Sequence, residues 1–127
     1  MDIKTHKMIN QNLCGTPVEL SDGYAKVEFN ADDRMAADQT GLIHGGFIFG
    51  LADYAAMLAV NHPNVVLGSA DVKFLKPVKL GDKIEAIAKT TLSDKKNVVE
   101  VVVTNKDIVV FKGNFTCFSL EKHVLQA

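Results

Sequence analysis

The chain has 127 residues, enough for one domain with its own core and too few for two. Hydrophobic residues make up 47% and charged residues 23%, as in ordinary soluble globular proteins. A formal net charge of −1 gives the chain no overall electrostatic attraction to nucleic acid or to an anionic membrane, so neither is expected as a partner. The N-terminus shows no signal-peptide pattern, and no stretch approaches the roughly 20 apolar residues that span a bilayer. We therefore expect a cytoplasmic protein with a single domain over residues 1–127.

The N-terminal third is predicted to form one short helix and a hairpin. Residues 3–13 suggest a short amphipathic helix, whose apolar members are Ile3, Met8, Ile9 and Leu13. Residues 17–20 and 23–29 alternate apolar and polar side chains around a Ser-Asp-Gly turn, which predicts a β-hairpin. A polar loop over residues 30–41 follows.

The only long helix is predicted over residues 43–61, because its apolar residues recur at spacings of three and four. Further apolar residues widen that face, so most of this helix is expected to be buried. The segment Asn61-His62-Pro63 should end it, since the residue before a proline is pushed out of the α region.

The remainder of the chain is predicted to be β-structure, with strands at 64–76, 83–92, 98–104 and 108–120 joined by tight turns. Strands joined in this way pair antiparallel. One antiparallel sheet with a single helix across one face is an α+β fold.

The two cysteines, Cys14 and Cys117, lie far apart in the sequence and have no metal-ligand spacing. They are predicted to be packed free thiols rather than a disulfide. No motif suggests a metal, a nucleotide cofactor or a serine triad, so we expect neither metal nor cofactor.

Two motifs resemble a known family. His44-Gly45-Gly46, followed by Leu51-Ala52-Asp53, is similar to the signature of hotdog-fold thioesterases of the phenylacetate-pathway (PaaI-like) type. The segment from Phe74 to Asp82, a strand end followed by Pro77 and a Gly-Asp turn, also matches. The resemblance covers roughly residues 15–120. It implies a curved antiparallel sheet wrapped around one long central helix, and an acyl-CoA substrate whose thioester is hydrolysed.

A second resemblance keeps another function open. Residues 64–74 and 112–115 are similar to the ligand-binding hotdog domain of the malonyl-CoA-sensing repressor FapR, which binds its ligand without hydrolysing it. In that relative the position of Asp53 is not acidic, so the acid here favours an enzyme. A hotdog dehydratase or hydratase is less favoured, because His44 is the only plausible internal histidine to pair with an acid.

Asp53 is the principal candidate for catalysis, because a charged residue in an apolar helix is rarely buried without a partner. The plainer interpretation is that it faces solvent or makes a local hydrogen bond. The resemblance implies that Asp53 acts as a general base or as a nucleophile. Asp38 stands where related thioesterases often carry Asn, fifteen residues before the acid. A second carboxylate near Asp53 is expected to raise the pKa of one of the two by like-charge repulsion. Either Gln39 replaces the missing amide, or catalysis is weak and the site mainly binds.

Gly45 and Gly46 begin the same helix, where backbone N–H groups lack intrahelical acceptors and carry the positive end of the helix dipole. A thioester oxygen could accept from Gly45; the alternative is close packing of helix on sheet. His44 either orients the thioester or only begins the helix. Gly45 and Asp53 are eight residues apart, about 12 Å along one helix. If both act on one bond, a dimer with antiparallel helices is required, and tetramers by sheet packing are plausible.

The remaining candidates concern binding. Lysines at strand ends and turns could contact the CoA phosphates or could be ordinary surface; they are Lys73, Lys76, Lys79, Lys95 and Lys96. Apolar helix residues could line an acyl tunnel or could be core; they are Phe47, Phe49, Tyr54 and Met57.

Overall fold

The structure, a computed structural model, describes residues 1–126. Within them lie two α-helices and six strands, with short 3₁₀ turns at Asp33–Met35 and Val124–Gln126. In chain order the elements are α1 (Gln11–Cys14), β1 (Thr16–Ser21), β2 (Tyr24–Asn30), α2 (Gly45–Val60), β3 (Val65–Phe74), β4 (Lys83–Lys89), β5 (Lys96–Asn105) and β6 (Ile108–Ser119). None of the helices in this range is both long and apolar enough to cross a membrane.

All six strands form one sheet in the order β1-β2-β4-β5-β6-β3, and every neighbouring pair is antiparallel. Helix α2 lies across one face and contacts chiefly β2, β4 and β5. The chain passes from β2 through α2 and β3 before β4 pairs with β2, so β3 is placed at the far edge. The predicted α+β class, one antiparallel sheet and one long buried helix, is confirmed.

The register of β2 against β4 shows why the alternating pattern folds this way. Val27 lies opposite Ala86 and Phe29 opposite Ile84, and all four side chains are buried beneath the helix. The intervening Lys26 faces the other side of the sheet, where it forms an ion pair with Glu85. Because side chains alternate between faces, one register buries the whole apolar set.

Helix α2 begins two residues later and ends one residue earlier than predicted. Asn61 ends it in the left-handed conformation, with φ 52°, and donates its N–H to the Met57 carbonyl over 2.8 Å. The side chain of Asn61 also accepts from the Lys4 N–H and donates to the Asp2 carbonyl. The end of the helix therefore fastens the N-terminal segment as well.

The predicted helix over residues 3–13 is wrong except for its last turn, α1. His6 has a positive φ of 53°, and Met8 is 97% exposed. Ile9 packs against the core from an irregular segment, and Leu13 does so from α1. The weak periodicity of this segment is not enough to form a helix, because short isolated helices are marginal in water. Contacts with α2 determine its conformation instead.

The strand predicted at 83–92 ends at Lys89, because the Thr90 N–H turns to the Gly23 carbonyl, 2.8 Å away, at the end of the first hairpin. Cys14 and Cys117 are both free, as predicted, and Cys117 is buried in the core.

Candidate functional site

The first turn of α2 offers two free backbone donors. Neither the Gly45 N–H nor the Gly46 N–H is bonded to a backbone carbonyl within residues 1–126, and His44 provides no side-chain cap. The His44 backbone is held in place, since its N–H donates to the Met35 carbonyl over 2.9 Å. A helix N-terminus with free donors can stabilise negative charge on a ligand oxygen.

An apolar cleft of about 350 Å³ opens beside Gly45. A Cβ atom on Gly45 would lie 3.1 Å from the Cε2 atom of Phe74, so the absence of a side chain lets this ring approach the helix. The interpretation of Gly45 as a close-packing residue is therefore confirmed, and its N–H remains free; acceptance of a hydrogen bond by a thioester oxygen stays a prediction. The residues lining the cleft are Ile43, Gly45, Ile48, Phe74, Leu75, Lys76, Pro77, Val78 and Val110.

His44 is exposed and folds over the first turn of the helix. A Cβ on Gly46 would lie 2.9 Å from two atoms of the His44 ring, which explains why position 46 tolerates no side chain without rearrangement. The ring stands edge-on to Phe47, with centroids 6.2 Å apart. A role for His44 in orienting a thioester stays a prediction.

Asp53 carries a buried carboxylate oxygen with no partner. Its Oδ1 atom is inaccessible to solvent and has no hydrogen-bond donor within the described part of the chain. Burial raises the pKa of Asp53 to about 6. The interpretation of Asp53 as a locally hydrogen-bonded residue therefore fails for this atom. An orphaned buried carboxylate is costly, and such groups concentrate at functional sites.

Two cysteines lie near this carboxylate. Burial, and next the negative charge of Asp53, raises the pKa of Cys117 to about 12. The same two causes, in the same order, raise the pKa of Cys14. Both thiols therefore stay protonated at neutral pH and are poor nucleophiles.

One stripe of α2 is incompletely covered. Phe49, Gly50 and Asp53 lie within about 100° of one another around the helix and are only partly buried, whereas most of the helix lies in the core. A Cβ on Gly50 would meet nothing within 4 Å. The stripe is therefore open to a neighbouring surface.

The four residues considered for an acyl tunnel separate into two groups. Tyr54 and Met57 are fully buried, so within one chain they are residues of the hydrophobic core. Phe49 packs on Phe115, with ring centroids 5.4 Å apart, and Phe47 is half-buried. Of these two, only Phe49 lies on the open stripe.

Asp38 stabilises its own loop. Its Oδ1 accepts from the Thr40 N–H at 2.9 Å, from the Thr40 hydroxyl at 2.7 Å and from the Leu42 N–H at 3.4 Å. The hydrogen bond from the Thr40 side chain is the main reason that the pKa of Asp38 is lowered. Since burial alone raises the pKa of Asp53, the expected repulsion between the two carboxylates is wrong within one chain. Gln39 is exposed beside Asp38.

Of the five lysines considered, the structure brings Lys76 to the cleft beside Gly45. Lys73 lies directly opposite Lys112 in the β3–β6 pair, on the face of the sheet away from the helix. Lys95 lines a separate groove with His62 and Phe118, and the exposed Lys96 begins β5. Lys79 is exposed in the turn before β4, where its N–H donates to Asp82.

Sequence reasoning did not single out Phe74 or Val110 as site residues. Their place in the cleft depends on pairing of β3 with β6, whose register puts Phe74 opposite Phe111. No local pattern carries that information. In the sequence, the motif around Pro77 was the only signal that this region belongs to the site.

Comparison with known proteins identifies the family. Residues 40–112 match the family model of the Thioesterase superfamily. The chain belongs to the thioesterase superfamily. Its structure matches that of an uncharacterised protein from Pyrococcus horikoshii with a TM-score of 0.95 and 54% identity, covering 98% of this chain and 97% of that one. The hotdog fold implied by the motifs is thereby confirmed.

Two other solved structures are similar at lower identity. A mutant of the phenylacetic acid degradation protein PaaI from Thermus thermophilus has a TM-score of 0.77 and 29% identity, with 85% and 95% coverage of the two chains. A Streptococcus mutans protein bound to acetyl CoA has a TM-score of 0.80 and 28% identity, with 93% and 97% coverage.

Two curated relatives are longer proteins. An Aquifex aeolicus protein named methylthioribose-1-phosphate isomerase is 55% identical over 118 residues, which make up 91% of this chain and 25% of that protein. The transcription factor FapR of Caldanaerobacter subterraneus is 26% identical over 125 residues, 97% of this chain and 62% of that protein. The chain thus spans a quarter of the first relative and under two thirds of the second.

Proposed function

We propose that the protein is an acyl-CoA thioesterase that hydrolyses its substrate to a free acid and CoA. Membership of the thioesterase superfamily supports the reaction class. The observation that carries the proposal is the orphaned Oδ1 atom of Asp53, which has no structural partner to account for it.

The chemistry follows from the two free polar groups. The thioester carbonyl accepts a hydrogen bond from the Gly45 N–H, which stabilises the negative charge that develops on oxygen during attack. Asp53 either removes a proton from the attacking water or attacks as a nucleophile to form a mixed anhydride, which water then hydrolyses. In both routes the C–S bond breaks, CoA leaves as the thiol and the acid retains one oxygen of water.

The site requires two chains. Gly45 and Asp53 lie on the same helix, about 12 Å apart at ~1.5 Å per residue. A two-fold axis near residue 49, the midpoint, would bring each Gly45 to the partner's carboxylate. Gly50, whose missing side chain faces open space, allows two helices to approach at this point.

The sheet offers the matching contact for a homodimer. Strand β3 is an edge strand of ten residues, and its central residues 68–71 are exposed. A long edge strand presents a row of unpaired N–H and C=O groups that favour pairing with another strand. We propose that β3 pairs with β3 of the partner, which also sets α2 beside its counterpart. Packing of the outer sheet faces would extend the dimer to a tetramer.

The similarity to FapR supports a second candidate, a non-catalytic acyl-CoA-binding or sensing protein. That similarity extends over nearly the whole of this chain. The isomerase activity named for the Aquifex aeolicus protein is not transferred, because the shared region is a quarter of that protein.

A panel of short-chain, long-chain and aromatic acyl-CoAs tests the proposal, with thiol release and binding measured in parallel. We expect turnover on part of the panel, and we expect Asp53→Asn to lower kcat by about 10²-fold or more while ligand still binds. Asp107→Asn, in an exposed turn, is the matched control and should hydrolyse as wild type does. Tight binding without thiol release across the panel would establish the sensing function instead.

A further inference from the structure

The outer face of the sheet, which is turned away from α2, has two halves that differ in the pairing of their charges. On the half formed by β1, β2 and β4, Lys26 pairs with both Glu19 and Glu85, at 3.6 and 3.3 Å. Lys83 pairs with Glu28 at 3.8 Å. Each acidic side chain on these three strands therefore has a partner within the chain.

The other half, formed by β5, β6 and β3, carries like charges side by side. Lys73 lies directly opposite Lys112. Two residues away along the same strands, Asp71 and Glu100 lie on either side of Asn114. Within residues 1–126, none of these four exposed charged side chains forms an ion pair. Like charges directly opposite one another destabilise a sheet, so this half is electrostatically incomplete in one chain.

A groove of about 330 Å³ lies between these charged side chains, and Val102 also lines it. Val98, on the same face of β5, is 52% exposed. Lys89 lies opposite Glu100 on β4, but it is outside the groove and forms no ion pair in the described part of the chain. A surface that presents unpaired charges of both signs is complementary to a second copy of itself.

The position of this half in the proposed dimer supports the same partner. Strand β3 is an edge strand, so pairing it with β3 of the partner brings the two unpaired half-faces together at the two-fold axis. The resulting central surface is six strands wide. With ~4.8 Å between strands and about 20 Å of strand length it covers roughly 600 Å², so two facing dimers would bury about 1,200 Å², which is sufficient for a specific interface.

We propose that the β5–β6–β3 half of the outer face is the surface through which two dimers assemble, and that it binds the same half-face of a second dimer. The basic pair, Lys73 and Lys112, of one chain lies against the acidic side chains of the facing chain. The contact is isologous, so it occurs twice about a two-fold axis and closes the assembly as a tetramer. The inference concerns assembly alone and does not depend on thioester hydrolysis.

Two double variants of opposite charge test the proposal. Lys73→Glu/Lys112→Glu leaves only acidic side chains at the groove, and Asp71→Lys/Glu100→Lys leaves only basic ones. We expect wild type to be a tetramer that dissociates to dimers as salt rises, because screening weakens the contact. Each variant alone should remain a dimer, since like charges then face each other, and an equimolar mixture of the two should form tetramers. Sedimentation equilibrium and native mass spectrometry measure these masses.

The matched controls are Lys106→Glu and Asp107→Lys, which reverse one charge each in the exposed β5–β6 turn and should assemble as wild type does. Thermal unfolding verifies that every variant is folded. A wild type that stays below the tetramer mass up to about 100 µM overturns the inference, as does a mixture of the two double variants that forms no tetramers. Double variants that are tetramers on their own also overturn it. No substrate is present, so failure of the thioesterase proposal would leave these results unaffected.

Discussion

Among residues 1–126, the Gly45 N–H has no acceptor and one carboxylate oxygen of Asp53 has no donor, and the two residues lie on one helix about 12 Å apart. Their polar groups complement each other chemically but cannot meet in a single chain. An antiparallel helix pair satisfies this arrangement without any change in the fold.

Mixed dimers should restore activity that neither parent variant has. Asp53→Asn lacks the base or nucleophile, and Gly45→Val places a side chain where Phe74 already lies. When the two inactive proteins are refolded together, we expect about a quarter of wild-type turnover, because half of the randomly formed dimers are mixed and each has one intact site. Sedimentation analysis confirms that dimers form. No recovery in a mixture shown to contain heterodimers would mean that the two groups do not act together across the interface.

Activity should depend on the ionisation of Asp53. Burial raises its pKa to about 6, and the carboxylate must be ionised to act as base or nucleophile. We expect kcat/KM to rise through about pH 6 and to level off above it. The residual activity of Asp53→Asn should lack this inflection. A profile that is flat between pH 5 and 8 in wild type would contradict the assignment.

Replacing Asp53 should stabilise the fold at neutral pH. The pKa of this carboxyl is higher in the folded than in the unfolded state, so ionisation above pH 6 weakens folding. Asp53→Asn is expected to increase the free energy of unfolding at pH 7.5 by on the order of 2 kcal/mol. The gain should shrink as pH falls from 6 towards 4 and vanish below about pH 3, where Asp53 is protonated in both states. Urea denaturation at equal protein concentration measures this difference, with Asp107→Asn as the control; a gain as large at pH 4 as at pH 7.5 would point to another cause.

Lys76 should contribute to CoA affinity, because it is the lysine at the cleft beside Gly45. We expect Lys76→Ala to raise the Kd for CoA by about 3- to 10-fold at low salt and to reduce the dependence of Kd on salt. The double variant Lys95→Ala/Lys96→Ala should also affect binding more than turnover if the nucleotide reaches the groove beside Phe118. Lys106→Ala, in an exposed turn, is the control for removing one positive charge. Calorimetric titrations that show identical Kd values for all four proteins would exclude these lysines as phosphate contacts.

Local patterns were sufficient for the elements whose side chains alternate or recur regularly. The helix predicted at 43–61 appears as Gly45–Val60, and the strand predicted at 23–29 appears as Tyr24–Asn30. Both are determined by burial of one face, which the sequence shows directly. The segment 3–13 differs, because the Asn61 side chain bonds the backbone at its start, to Lys4 and Asp2, from 57 and 59 residues away.

The α+β class, the long buried helix and the acid eight residues after a helix-initiating glycine all follow from the amino-acid pattern. The tertiary structure alone decided that β3 lies at the sheet edge, that Phe74 stands against Gly45 and that the Oδ1 atom of Asp53 has no partner. Periodicity reports which face of an element is buried, whereas these three features depend on which distant segments cover that face. Long-range pairing, such as β3 with β6, makes that choice, and it leaves no signal within either strand.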